Sequence, residues 1–122
     1  MPNNLPFSTA DEVLEGQVLV FDKPLTWTSF DVVNKVRGTL KGVFSLRKVK
    51  VGHAGTLDPL ATGVLILCTG RKTKTIDTLQ AEEKTYTGVI RLGITTPSFD
   101  AETEIDSWGD KDRINEITTE DI

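Results

Sequence analysis

Cysteine and histidine are nearly absent from this sequence. Its 122 residues hold one of each, Cys68 and His53. A single cysteine excludes an internal disulfide and any multi-cysteine zinc site. A single histidine excludes a His-rich metal centre. No apolar run approaches the roughly 18 residues that a membrane-spanning helix needs. Residues 1–10 carry neither the basic nor the apolar region of a secretory signal. Internal repeats and low-complexity stretches are missing too. These absences set the expectation of a cytoplasmic protein with no metal and no membrane attachment.

What is present suits a folded domain. Hydrophobic residues make up 38% and charged residues 26%, too apolar a balance for a disordered tail. A chain of this size buries roughly 65% of its unfolded surface, which supports one core and not two. The net charge of −4 hides an asymmetry. From Asp100 to Ile122 nine acids face two bases, giving −7, so residues 1–99 carry +3. Within them, Val32 to Leu57 holds Lys35, Arg37, Lys41, Arg47, Lys48 and Lys50 with no acid. The acidic total argues against a nucleic-acid partner and this stretch argues for one; a solvated helix face and loop would also account for it.

The order of elements follows from periodicity. Val18-Leu19-Val20-Phe21, closed by Lys23-Pro24, predicts a buried strand. Thr28 or Ser29 can cap a helix over about 29–41, whose Phe30, Val32, Val33, Val36 and Leu40 form one apolar stripe, with Gly42 as its stop. Ser45 to Val51 is a basic connection with weak alternation. Gly52 to Gly63 has three glycines, a proline and no period, and predicts a structured loop. Val64 to Cys68 predicts a second buried strand. Lys72 to Ala81 predicts a helix with Ile76 and Leu79 inward, and Thr85 to Ile94 a third strand. Ile117 to Ile122 looks like the capped opening of a helix that does not follow. That suggests a segment of something longer, although a frayed terminus looks the same.

The chemistry-bearing residues gather in the loop His53-Ala54-Gly55-Thr56-Leu57-Asp58-Pro59-Leu60-Ala61-Thr62-Gly63. Asp58 before Pro59 suits an N-cap, because proline favours the first position of a helical turn. The same placement would present an acceptor-only carboxylate to a cleft, as nucleophile or base. Glycines beside it would let a substrate approach closely. His53 is a candidate general base, or a loop histidine bonded to backbone. The spacing from Gly63 to Gly70 and Arg71 does not make a phosphate-binding glycine loop. Tyr86, the only tyrosine, is a core or cross-strand residue by default. With Gly88 on its strand face, it would also leave room for a stacked base. Lys74 is a surface charge or a phosphate or carboxylate partner.

At this point the run GHAGTLDPLATGVL resembles the catalytic loop of the TruB class of pseudouridine synthases, which act on the uridine at position 55 of tRNA. Asp22-Lys23-Pro24 is similar to that family's first motif. Gly70 to Leu79 is similar to the segment after its second strand. Lys84-Thr85-Tyr86 with Arg91-Leu92-Gly93 resembles its tyrosine-bearing strand.

The resemblance implies an α+β fold, a mixed β-sheet with packed helices. It implies three parts: an extension over 1–15, the first half of a catalytic domain over 16–106, and an acidic segment over 107–122. It implies that Asp58 is the essential catalytic group, that Tyr86 stacks on the uracil, and that His53 contacts the RNA. Lys74 falls in the active-site neighbourhood. The implied partner is tRNA, through its T-arm stem-loop, with no metal and no organic cofactor. Family members run to about twice this length, with a partner arginine and RNA-gripping segments later in the chain. The expectation is therefore that this chain alone is inactive and self-associates through an exposed sheet edge. The alternative is a non-enzymatic RNA-binding module of the same fold.

Overall fold

The computed structural model describes residues 6–122. Two compact units divide the chain between Glu83 and Lys84. The first begins with helix α1, Ala10–Glu15, capped by Thr9 and Glu12 in a reciprocal box. Strand β1, Val18–Lys23, follows, then helix α2, Ser29–Val43. Strand β2 spans Val51–His53 and strand β3 Gly63–Thr69. A 3-10 helix, Gly70–Thr75, runs into helix α3, Ile76–Gln80.

β3 is the centre of a three-stranded sheet in the order β1-β3-β2, antiparallel throughout. The register sets Lys23 opposite Gly63 and Val51 opposite Thr69. Alternation along β1 and β3 sends Leu19, Phe21, Leu65 and Leu67 to one face, where α2 lays Val32, Val33 and Leu40. Phe7, Val13, Val49 and Val51 complete this core. Fully burying aliphatic side chains of this size contributes roughly 1.5–3 kcal/mol each. The other sheet face is open around Val20 and Val64, which are 67% and 69% exposed, and closed at Cys68, which is fully buried. The two predicted strands are thus half-buried rather than buried on both faces, as one-sided antiparallel sheets are.

Several boundaries are corrected. Thr28 is the cap of α2; its hydroxyl accepts from the Asp31 N–H, and Asp31 accepts from the Thr28 N–H. Bonds from the Thr28 side chain and then its backbone hold the Asp31 carboxyl below its ordinary range. The helix passes Gly42 and ends where Ser45 turns left-handed at φ 53, with the Leu46 N–H donating to the Lys41 carbonyl. The basic connection ends in a short strand, β2, which the weak alternation did not announce. The helix predicted over 72–81 starts as the 3-10 helix, because Gly70 packs against the end of α1. A Cβ on Gly70 would overlap the Leu14 carbonyl oxygen.

The second unit is sparse. Strand β4, Ile94–Thr95, pairs antiparallel with β5, Ser107–Trp108, and helix α4 spans Lys111–Asn115. The third strand predicted over Thr85–Ile94 is therefore corrected to its last residue. Its propensity is real, but a strand needs a ladder partner, and residues 85–92 belong to no strand ladder among the described residues. Thr118 and Asp121 cap a terminal 3-10 turn, Thr119–Asp121, as the capped opening predicted. The class is α+β, and every strand pairing among the described residues is antiparallel.

Candidate active site

Asp58 lies on the loop between β2 and β3, and its side chain is exposed. It caps nothing. Pro59-Leu60 form a turn closed by the Ala61 N–H on the Asp58 carbonyl at 2.9 Å, and no helix follows. The N-cap alternative is thereby removed. Among the described residues no hydrogen bond or ion pair engages the carboxylate. It projects unengaged, among the described residues, from a loop that is otherwise tied down.

Those ties fall on both sides of Asp58. On one side, buried Ser29 at the start of α2 holds Leu57 at two points. Its hydroxyl accepts from the Leu57 N–H at 2.9 Å and donates to the Leu57 carbonyl at 3.2 Å. On the other side, the Pro59 carbonyl accepts from the Thr26 N–H at 2.8 Å and from Lys23 Nζ at 3.3 Å. Lys23 is fully buried and also donates to the Pro24 and Trp27 carbonyls. A buried ammonium is tolerable only with its donors satisfied. Here the chain around Asp58 supplies an acceptor. Thr26 reaches its position at φ 71, outside the usual range for a side-chain-bearing residue.

His53 ends β2, half-buried. Its Nδ1 lies 2.6 Å from the Gly55 carbonyl. A carbonyl only accepts, so Nδ1 carries a proton, and Nε2 lies outside this bond. The backbone-bonded alternative thus describes this histidine. Gly55 makes the bond possible by turning at φ 103, a conformation that favours glycine.

Lys74 and Tyr86 are the remaining sequence candidates. Lys74 is exposed on the 3-10 helix after β3, beside Lys48, Lys50 and Arg71 in a hollow that does not border Asp58. Tyr86 belongs to the second unit, 68% exposed and outside any strand, so the shared strand face with Gly88 does not form. Among the described residues no three His, Cys, Asp or Glu side chains gather as metal ligands, and no helix is long and apolar enough to cross a membrane.

Sequence reasoning missed Ser29, Thr26 and the role of Lys23. Only Lys23 carried a signal: it continues the inward alternation of Leu19 and Phe21, so its ammonium had to end in the interior. The Ser29 clamp gives a direct expectation. Ser29→Ala should cost about 1–3 kcal/mol, because the Leu57 N–H loses its partner. It should also speed hydrogen exchange at the Leu57 amide. Unchanged protection of that amide would remove the clamp.

The model of the TruB family pseudouridylate synthase N-terminal domain fits residues 41–122, and the chain belongs to this family. It is similar to proteins called tRNA pseudouridine synthase B: 53% identical to that of Parabacteroides distasonis over 111 residues, covering 91% of this chain and 47% of the relative. The Flavobacterium johnsoniae protein is 56% identical over 110 residues, 89% of this chain and 48% of the relative. That of Chlorobaculum tepidum is 61% identical over 90 residues, 74% of this chain and 37% of the relative. The chain spans about half the length of the first two of these relatives.

Proposed function

We propose that Asp58 is the catalytic carboxylate of a tRNA pseudouridine synthase that isomerises the T-loop uridine at position 55. The glycosidic bond to N1 breaks, the uracil turns, C5 bonds to the ribose, and the C5 hydrogen leaves as a proton while N1 gains one. The observation that supports this reading is the mounting of Asp58: exposed, without a partner among the described residues, and clamped at Leu57 and Pro59 by buried side chains. Such mounting fixes a charged group in space without consuming its lone pairs, which is what positioned catalysis requires.

The target uracil must first leave its stack, at a cost of a few kcal/mol. Tyr86 presents an exposed ring, and stacking on it returns about 1–3 kcal/mol of that. His53, held through Nδ1, offers Nε2 to the RNA. Lys74 takes a phosphate. A role on tRNA brings a cytoplasmic location with it.

The test is tritium release from C5-labelled uridine in a tRNA T-arm, using protein extended to its relatives' length. Release above background is expected. RNA binding without release would favour the module that only binds RNA. In the 122-residue chain alone, β1 leaves its outer edge unpaired among the described residues, with Val18 and Val20 exposed beside it. Such an edge invites pairing with another copy. Light scattering should show mass above the monomer at high concentration; a constant monomer mass would count against it.

A further inference from the structure

The most concentrated charge in the first unit is not at Asp58. Two adjoining hollows, of 480 and 340 Å³, share Lys48, Lys50 and Thr73 in their walls. Arg37 enters the first, and Arg71 and Lys74 the second. No acidic side chain lines either one. In a chain of net charge −4 this concentration of five cations is exceptional.

The cations come from three separate elements, and hydrogen bonds hold those elements together. The Arg37 Nη2 donates to the Val51 carbonyl at 3.0 Å, joining α2 to β2. The Gly70 N–H donates to the Lys50 carbonyl at 2.9 Å, joining the 3-10 helix to the basic connection. Thr73 closes its own turn on the Gly70 carbonyl at 2.8 Å. The floor is therefore fixed while the ammonium heads are free. Lys48, Lys50 and Lys74 are exposed and make no ion pair among the described residues. Arg71 meets Glu15 at 3.3 Å, but both side chains are largely exposed, so the pair is weak and exchangeable.

The register locates this surface. Asp58 belongs to the Lys23–Gly63 end of β3, through the Pro59 contact, and the hollows to the Val51–Thr69–Gly70 end. Six residue steps of strand separate those ends, about 20 Å. An anion here is far from the reacting base of any substrate at Asp58.

We propose that these hollows are a docking site for the phosphate backbone of an RNA stem, remote from the reacting nucleotide. The inference rests on the RNA substrate of the proposed function and narrows it. Lys48, Lys50, Arg71 and Lys74 bind the stem, while Lys35, Lys41 and Arg47 of the same basic stretch border neither hollow. The walls hold cations, a hydroxyl and the aliphatic side chains of Leu14, Val49, Val51 and Ile76, but no aromatic ring for stacking. The contact therefore positions RNA and does not read its sequence.

The test measures binding of the 122-residue chain to a fluorescein-labelled T-arm stem-loop by anisotropy, over a range of salt. Lys48→Glu with Lys50→Glu should weaken Kd about tenfold and flatten the slope of log K against log salt by about 1.5. Lys35→Glu with Lys41→Glu makes the same change in net charge outside the hollows and should do far less. All four lysines are exposed, and a circular-dichroism melt confirms folding; Lys48→Gln with Lys50→Gln supplies a milder second variant. Equal effects of the two Glu pairs, or an unchanged slope in the Lys48/Lys50 pair, would overturn the docking site. So would binding to phosphatidylserine vesicles without binding to the RNA. Binding is read without turnover, so the two ideas fail separately. Tritium release with an unchanged salt slope sinks the docking site alone. A flattened slope without release sinks only the isomerase.

Discussion

Asp58→Asn is expected to abolish uridine isomerisation, by at least about 10³-fold, in protein of the relatives' full length. The substitution is nearly isosteric and removes only the charge and one acceptor oxygen. Because the carboxylate is exposed and engages no partner among the described residues, no native contact is lost, and stability should change by less than about 0.5 kcal/mol. The clamps at Leu57 and Pro59 hold main-chain atoms, so the loop keeps its path. RNA affinity should be retained or slightly tightened, since one negative charge is removed from a surface that faces polyphosphate. Three measurements separate the effects: tritium release for the chemical step, anisotropy for binding, and urea denaturation for folding. Loss of release alone places the aspartate in the chemistry. Full release from the variant would take it out.

The parts of this fold that were legible in sequence are those set by neighbours along the chain. The α2 stripe from Val32 to Leu40 and its cap at Thr28 depend on residues three and four apart, and they fall where periodicity places them. Phe30, expected in the same stripe, is instead 59% exposed, because nothing among the described residues packs over the first turn on that side. β1 and β3 were legible as strands for the same reason. Their one-sided exposure was not, because it depends on what covers each face of the sheet. The Asp58 loop stood out through its glycines and Asp-Pro step, yet its mounting was hidden. Ser29 reaches Leu57 across 28 positions and Lys23 reaches Pro59 across 36. No local pattern encodes either pairing. The third strand failed for the complementary reason. Its residues favour extended backbone, but a strand exists only with a partner, and propensity carries no information about one. The basic hollows combine both cases: three of their five cations were visible in the run through Lys50, and the other two, Arg71 and Lys74, arrive only when Gly70 turns the chain back.

Lys23→Met should lower stability by about 2–4 kcal/mol, a fall in Tm of order 10–20 °C for a unit of this size. Methionine matches the stem of lysine in length and apolar character, so the loss reports the ammonium and not a cavity. Each of the three carbonyls now held by Nζ loses a charge-assisted bond. Pro59 keeps its Thr26 donor and Pro24 keeps a long bond of 3.4 Å from the Trp27 N–H. The Trp27 carbonyl bears the largest change. The effect on turnover should exceed the loss of folded protein, because Pro59 adjoins Asp58 and its carbonyl is then fixed from one side only. A displacement near 1 Å at a reacting group can cost about a hundredfold. Turnover is therefore compared with wild type at a temperature where circular dichroism shows both proteins folded. A reduced kcat with unchanged RNA affinity is the signature of a group that positions the aspartate. If Tm falls and kcat per folded molecule stays at the wild-type value, Lys23 supports the fold alone, and the orientation of Asp58 rests on Ser29 and Thr26.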